Sequence, residues 1–498
     1  MKHKLTSVRS TAILLALCSL CGALASCGDN KEPSGTDTKA NTDTSSSDDT
    51  AELDSLEARK LVSDDVPELN FDGKDFRIFY QKRYTTDAVP EINEETGDVI
   101  NDAIFRRNRT IEERFNINIV GTYGEEDAMV TQLINSVSAG DDEYDLFLGH
   151  SIYSGRAALA GCFYNWYDIP YMDFSKPWFP QASIEGLTIN DRMYMTVSDL
   201  CLSFSSVSYC MYFNKQMIED HNLPDIYELV DSGEWTVDKL YDIAKDMYRD
   251  LNGNSTADID DQYGFASALT NHTTTWLFSC NVPTVELHED GTAKSVFNSE
   301  RASTLIDKLR KLYNDNPGSY LTAANSAQAS PMSSFMNGYS AILTDSIGAS
   351  VSQFRDVMFD YGIVPYPKYD EAQDGYYTIP GGSVSCMAVP KSTVDTELVG
   401  AVTAALARES WVSVMPDYYD IALKVKGVRD ETSIRMLDII LDGRSVTAPF
   451  LYDSFVGYNY KVADLLGGNS ELASYVASMD NKVIDHYESI LELFCGEE

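Results

Sequence analysis

Cationic side chains are scarce in this chain. Its 498 residues carry 38 Lys and Arg against 77 Asp and Glu, a formal charge of -39. A surface that acidic repels phosphate backbones and anionic lipid heads, which makes nucleic acid a poor partner. Histidine is nearly as sparse, at six, and one of these is His3. The sequence contains no HExxH, GxSxG, P-loop or GxGxxG pattern. Nothing marks one pair of its many acids for glycoside hydrolysis. The nine Cys show no zinc-ligand spacing. Cys162, Cys201, Cys210, Cys280, Cys386 and Cys495 remain once the leader and Cys27 are set aside. Most sit beside apolar or aromatic residues, so buried free thiols are expected, with Cys201–Cys210 the one pair that could bridge. No internal repeat is present.

The one long apolar run is at the start. Lys2, Lys4 and Arg9 precede a run from Thr11 to Ala25, the pattern of a secretory signal over residues 1–26. Removing it lowers the formal charge to -42. Ser, Thr, Asp, Asn and Lys then dominate and offer too little apolar surface to order, so residues 27–65 read as a tether. Asp75–Tyr80, Ile117–Val120 and Tyr144–Leu148 read as strands. Helices at Ile100–Phe115 and Asp127–Ala139 separate them. Alternation of this kind makes a parallel sheet with helices on its faces. Ligands sit beyond the carboxyl ends of such strands, which points to Tyr80, Tyr84, His150 and Ser151.

Glu234–Ala266 organises the middle. Val237, Leu240, Tyr241, Ala244, Met247, Tyr248 and Leu251 recur at helical steps, with Thr236 as cap and Asn252-Gly253 as stop. An acidic loop and the strand Tyr263–Ala266 follow. This order, with FSKPWF, YFNK, WTVDKL, GIVPYPKYDEAQ and AVPK in sequence, resembles the family 1 extracellular solute-binding proteins of ABC importers. The resemblance covers Leu69–Leu441; the part after Thr447 carries no motif. Leu24-Ala25-Ser26-Cys27 resembles a bacterial lipobox, in which Cys27 is lipidated.

The resemblance implies an α/β protein of the two-lobed, type II periplasmic-binding kind, with parallel-rich sheets and a ligand cleft between lobes. Lobe 1 is expected at 66–203 and 344–395, and lobe 2 at 204–343 and 396–498. It implies a monomeric lipoprotein on the extracytoplasmic face of the membrane. That lipoprotein captures a solute, an oligosaccharide for preference, and passes it to an ABC permease. A secreted glycan-degrading enzyme and a ligand-binding module of a signalling receptor are the alternatives. By position in the resemblance, Asn271 and Thr273 touch ligand, and Asp199 and Asp345 face the cleft at two crossings. Gly382 lies where Tyr376–Pro390 brings the chain to the pocket edge. Trp276 and Trp411 are expected as stacking platforms, since sugars present apolar C–H faces to aromatic rings. Trp178 and Trp235 are expected in the core.

The acidic loop holds oxygen side chains at Asp250, Asn252, Asn254, Asp258 and Asp261. That spacing encircles calcium in EF-hand-like loops, although Gly253 is displaced from the usual turn position and Asp261 replaces a bidentate Glu. A structural calcium ion and a self-capped acidic turn are both open. No other cofactor is expected.

Overall fold

The computed structural model describes residues 56–81, 94–269, 271–322, 330–424, 431–453, 456–468 and 471–496. The leader, Cys27 and Tyr84 lie outside them. Residues 56–65, expected as the end of the tether, are docked. Asp64 is buried and receives the Arg114 guanidinium at 2.5 and 3.0 Å, and Arg408 donates to the Val62 carbonyl at 3.1 Å. A forked, desolvated Arg–carboxylate pair holds chain that composition alone reads as loose.

In β1 (Lys74–Gln81) Phe76, Ile78, Phe79 and Tyr80 are buried, so the strand is covered on both faces. Asp98 caps α1 (Val99–Phe115) by accepting from the amides of Ile100 and Asn101. Asn116 ends it at φ 50°, in the left-handed region. β2 (Ile117–Gly124) runs parallel to β1, with Lys74 opposite Ile117. α2 (Glu126–Ala139) ends on Gly140 at φ 74°. β3 (Leu146–His150) runs parallel to β1 on its other side, and α3 (Ser151–Leu159) starts at the very next residue.

After a first crossing, β4 (Tyr209–Asn214) opens the second sheet. α4 (Val237–Ala244) follows, capped by Thr236 as expected. It stops at Ala244, seven residues short of the periodic pattern's end. The cause is tertiary: a Cβ on Gly264 would lie 2.5 Å from the Ala244 Cα, and one on Gly318 2.0 Å from its carbonyl oxygen. Gly264, in the strand that begins at Tyr263, and Gly318, in the turn before the strand that begins at Ser319, press on the helix end, and the chain turns into an antiparallel bridge, Arg249↔Gln262. Met247 still reaches the core, while Leu251 is exposed.

The chain continues through β5 (Tyr263–Ala268), α5 (Asn271–Ser279) and the hairpin β6 (Val285–Leu287) and β7 (Ala293–Ser295). It goes on to α6 (Glu300–Tyr313), β8 (Ser319–Thr322), β9 (Ser340–Ser346), α7 (Ile347–Ser352), β10 (Tyr361–Val364) and β11 (Ser385–Ala388). The second sheet has the order β10-β4-β9-β5-β8; β5 runs parallel to β8 and β9, and β4 antiparallel to β9 and β10. β11 returns to the first sheet, antiparallel to β3, giving β11-β3-β1-β2.

Two expected lobe assignments change. Tyr361–Val364, expected in the return to the first lobe, is an edge strand of the second sheet. α8 (Thr396–Glu409), expected in the second lobe, packs on α1 and β1. α9 (Met415–Lys424) touches both α1 and α7, so it forms a third link between the sheets. Between α8 and α9 lies a π-helical turn, Ser410–Val414. Pro416 explains it: its ring cannot sit in a regular helix against the preceding turn, and an added residue relieves the clash. Helix Thr396–Ile421 is the one described helix long and apolar enough to cross a membrane, and 78% of its apolar 18-residue segment is buried inside the protein.

α10 (Glu431–Asp442) covers β10 of the second sheet, and beyond Thr447 α11 (Leu472–Cys495) packs on the hairpin strand β7 and on α3 of the first lobe. Tyr194 donates to the Leu493 carbonyl at 2.7 Å, and Arg192 to that of Gly496 at 2.8 Å. All six cysteines after Cys27 are free, and Cys201 and Cys210 are buried without a bridge.

Candidate functional site

The carboxyl ends of β1 and β3 meet two crossings between the sheets. The Ser151 hydroxyl, first residue of α3, donates to the Gly382 carbonyl at 2.6 Å, and its amide to that of Val384 at 3.0 Å. The Gln81 amide donates to the Ser383 carbonyl at 3.1 Å and to the Ser385 hydroxyl at 2.6 Å. The Ser385 amide donates in turn to Ser203 Oγ on the first crossing at 3.0 Å. Gly381 donates to the Val207 carbonyl at 2.8 Å, and Ser208 bridges Pro380. A Cβ at Gly381 would lie 3.3 Å from the Tyr209 hydroxyl, a tight contact.

Tyr209 carries the junction into the second sheet. Its ring lies 4.9 Å from that of His272, on the first turn of α5. His272 Nδ1 lies 2.9 Å from Thr344 Oγ1, and the next residue, Asp345, accepts the Ser346 amide at 2.7 Å. Burial pushes the His272 imidazole down and the Asp345 carboxyl up, each partly opposed by the other. The imidazole is therefore neutral at pH 7. Gln81, His150, Ser151, Tyr209, His272, Asp345 and Gly382 thus form one polar junction of hydroxyls, amides and carbonyls, buried throughout. Among them there is no Lys or Arg. Such a set fits neutral hydroxyl-bearing solutes better than anions.

The sequence-predicted residues divide. His150, Ser151, Asp345 and Gly382 lie in this junction. Asn271 begins α5, and Thr273 is buried on its first turn. Tyr80 is buried in the first core; its neighbour Gln81 reaches the crossing, because side chains alternate along a strand. Trp276 is corrected to a core residue. It is fully buried, its indole donates to the Tyr313 hydroxyl at 2.9 Å, and its ring meets Tyr366 edge-on at 5.0 Å. Its place on the face of α5 turned to the core leaves no ring surface for stacking.

Asp199 and Trp411 belong to a separate cluster. The Asp199 amide donates to the Trp178 carbonyl at 3.1 Å, and the Trp178 and Trp411 rings lie 6.0 Å apart. The Arg59 guanidinium covers the half-buried Trp411 ring at 5.1 Å. Burial pushes the Asp199 carboxyl up to about 6, opposed by Arg444 and Arg59. Gln81, Tyr209 and His272 were missed by sequence reasoning. The two-residue strand period points to Gln81; only the crossings bring in the other two.

The acidic loop closes on itself. Asp250 accepts from the amides of Gly253 and Ser255, Asp258 from Asn252, Asn254 and the Asp260 amide, and Asp261 from Leu251 and Tyr248. The side-chain bond from Asn254, then the Asp260 amide, holds the Asp258 carboxyl low. Among the described residues, no three His, Cys, Asp or Glu side chains gather to hold a metal. As they stand, these oxygens are engaged by the loop's own donors.

A cavity of about 560 Å³ lies apart from the junction. Its walls are helix Gln181–Leu187, the stretch Leu277–Leu287, Tyr377 and Asp442–Pro449, and none of the predicted residues lines it. It opens at the C-terminal end of α5, where orphan carbonyls rather than N–H groups emerge. The strand ends and helix starts favour the junction instead.

Residues 109–404 match the bacterial extracellular solute-binding protein family, and the chain belongs to it. No curated protein sequence matches the chain. Solved structures give the fold. A cyclo/maltodextrin-binding protein complexed with maltotetraose superposes with a TM-score of 0.55 at 14% identity, covering 84% of this chain and 97% of that one. The GacH receptor of Streptomyces glaucescens, solved unliganded and with acarbose, gives 0.53 at 11% identity, with coverages of 83% and 99%. An ABC substrate-binding protein from Listeria monocytogenes in complex with cycloalternan gives 0.51 at 15% identity, with coverages of 86% and 100%. The chain is thus an extracytoplasmic two-lobed solute-binding protein.

Proposed function

We propose that the protein captures an oligosaccharide between its two lobes and delivers it to an ABC importer, held at the membrane by a lipid on Cys27. The observation that carries the solute class is the junction of Ser151, Gly382, Tyr209, His272 and Asp345. It offers hydroxyls, carbonyls and a neutral imidazole from both sheets, with no Lys or Arg among these residues. Solute touching both sides stabilises the closed arrangement over the open one, which is how ligand drives a hinge. The solved relatives described above bind acarbose, maltotetraose and cycloalternan, in keeping with this class. A family of binding proteins supports capture without turnover.

A glycan array followed by calorimetry tests the solute. A neutral oligosaccharide bound at one site and recovered uncleaved is expected. Binding confined to amino acids or peptides, or cleavage of the glycan, overturns the proposal. For the anchor, Cys27→Ala is expected to move the protein from the membrane fraction to the medium; a variant that stays with the membrane removes the lipid.

A further inference from the structure

We propose that Gln81 is a specificity-determining residue of the solute site, its side-chain oxygen accepting a hydrogen bond from a hydroxyl or N–H group of the solute. Gln81 is the last residue of β1 and 1% exposed. Its Nε2 donates to the Ser383 carbonyl at 3.1 Å and to Ser385 Oγ at 2.6 Å. A carbonyl can only accept, so the amide has one orientation, and Oε1 is turned away from Ser383. Oε1 is buried and has no donor among the described residues. Buried side-chain acceptors nearly always find a donor, and a fixed one without a partner marks a missing group.

The place of that acceptor says what is missing. Ser385 stands opposite His150 in the β11–β3 pairing, and Ser383 follows Gly382, the residue that receives Ser151. Oε1 therefore sits at the strand-end junction. A carboxylate or phosphate oxygen set against it would repel it, whereas a hydroxyl or N–H satisfies it. This assignment rests on solute capture at that junction. It adds that the solute presents a donor to the end of β1, and that Ser385 is the positioning residue holding the acceptor.

The test uses the full chain and a library of neutral oligosaccharides, polyols, amino acids and short peptides, screened by thermal shift and followed by calorimetry. Gln81→Met keeps the length and removes the acceptor, together with the Nε2 donor to Ser383 and Ser385. It is expected to bind any compound that shifts the wild type at least tenfold more weakly, while the free protein still unfolds cooperatively at a lowered melting temperature. Ser385→Ala, which only loosens the amide, is expected to lose about threefold. It keeps the question open if Gln81→Met fails to fold. For an oligosaccharide hit, monodeoxy analogues supply a cycle: one missing hydroxyl weakens binding to the wild type and leaves binding to Gln81→Met unchanged.

Equal affinity within twofold for both variants overturns the assignment. So does a cycle without coupling at any hydroxyl, a library with no binder, or a bound-state structure in which the chain after Gln81 donates to Oε1. Binders found only among amino acids or peptides sink the oligosaccharide proposal, while Gln81 is still judged by the same tenfold loss.

Discussion

Two polar regions of this protein are built in opposite ways. The acidic loop Asp250–Asp261 is largely exposed, with Asp261 alone buried, and draws nearly all its hydrogen bonds from within twelve residues of itself. The strand-end junction is buried and assembled from β1, α3, two crossings, α5 and β9, with partners hundreds of positions apart. A local ladder of Asp and Asn satisfies itself through side chain–backbone turns whatever surrounds it. A junction of single residues from distant segments exists only when the sheets are in place. The loop is therefore easy to see in a sequence and gives the fold little. The junction is nearly invisible there, yet it sits where solute is to be captured.

Substitutions sharpen or break that contrast. The largest effect is expected at Trp276. Truncation to Ala removes a fully buried indole and the donor to Tyr313, and should cost about 3–5 kcal/mol in denaturant unfolding. A variant that unfolds like the wild type but loses affinity would return Trp276 to the solute site. Next is Gly318→Ala, which drives a methyl group into the Ala244 carbonyl and should cost about 1–3 kcal/mol. No loss there would mean that α4 ends for local reasons, and that the loop's own sequence governs its surroundings.

Asp199 comes third, and its effect depends on pH. Its carboxyl is held near 6, above the ordinary value of about 4, so the folded state binds a proton that the unfolded state releases. The stability this supplies is fully present below about pH 4 and is lost as pH rises through about 6. Asp199→Asn should flatten that part of a stability–pH curve. A wild-type curve that rises between pH 4 and 6, and is lowered there by the substitution, would show the carboxylate paired rather than buried.

The smallest effects are expected in the loop. Asp258→Ala should move the melting temperature by no more than about 2 °C, since this half-buried carboxylate bonds only within the loop. Chelator should leave the melting curve unchanged. A chelator-sensitive melt restored by calcium would mean that the native loop binds the ion, since a ligand held only by the folded state raises stability. The contrast between a self-sufficient loop and a dependent junction would then fail.

Much of the fold was legible from residue spacing. The apolar runs of β1 and β3, and the helical periods of α1 and α2, mark where chain must be covered, and the observed elements agree to within a few residues. Asn116 and Gly140 ended helices where left-handed residues cost least. Of the residues expected at the site, His150, Ser151, Asp345 and Gly382 come together at the strand-end junction. Trp276 lies in the core, because a tryptophan carries the same letter in a core as in a cleft.

What the chain determined by itself is whatever rests on neighbours in sequence: periodic apolar faces, helix caps, the acidic loop's turns and the strong excess of negative charge. What only the tertiary structure decided is whatever rests on contacts between remote segments. Among these are the end of α4 against two glycines, the return of β11 beside β3, the seat of Trp276 under Tyr366, and the meeting of Gln81, Ser151, Tyr209 and His272. Local backbone preferences act within a few residues. Burial, steric exclusion and the pairing of buried polar groups act only once distant parts of the chain have come together.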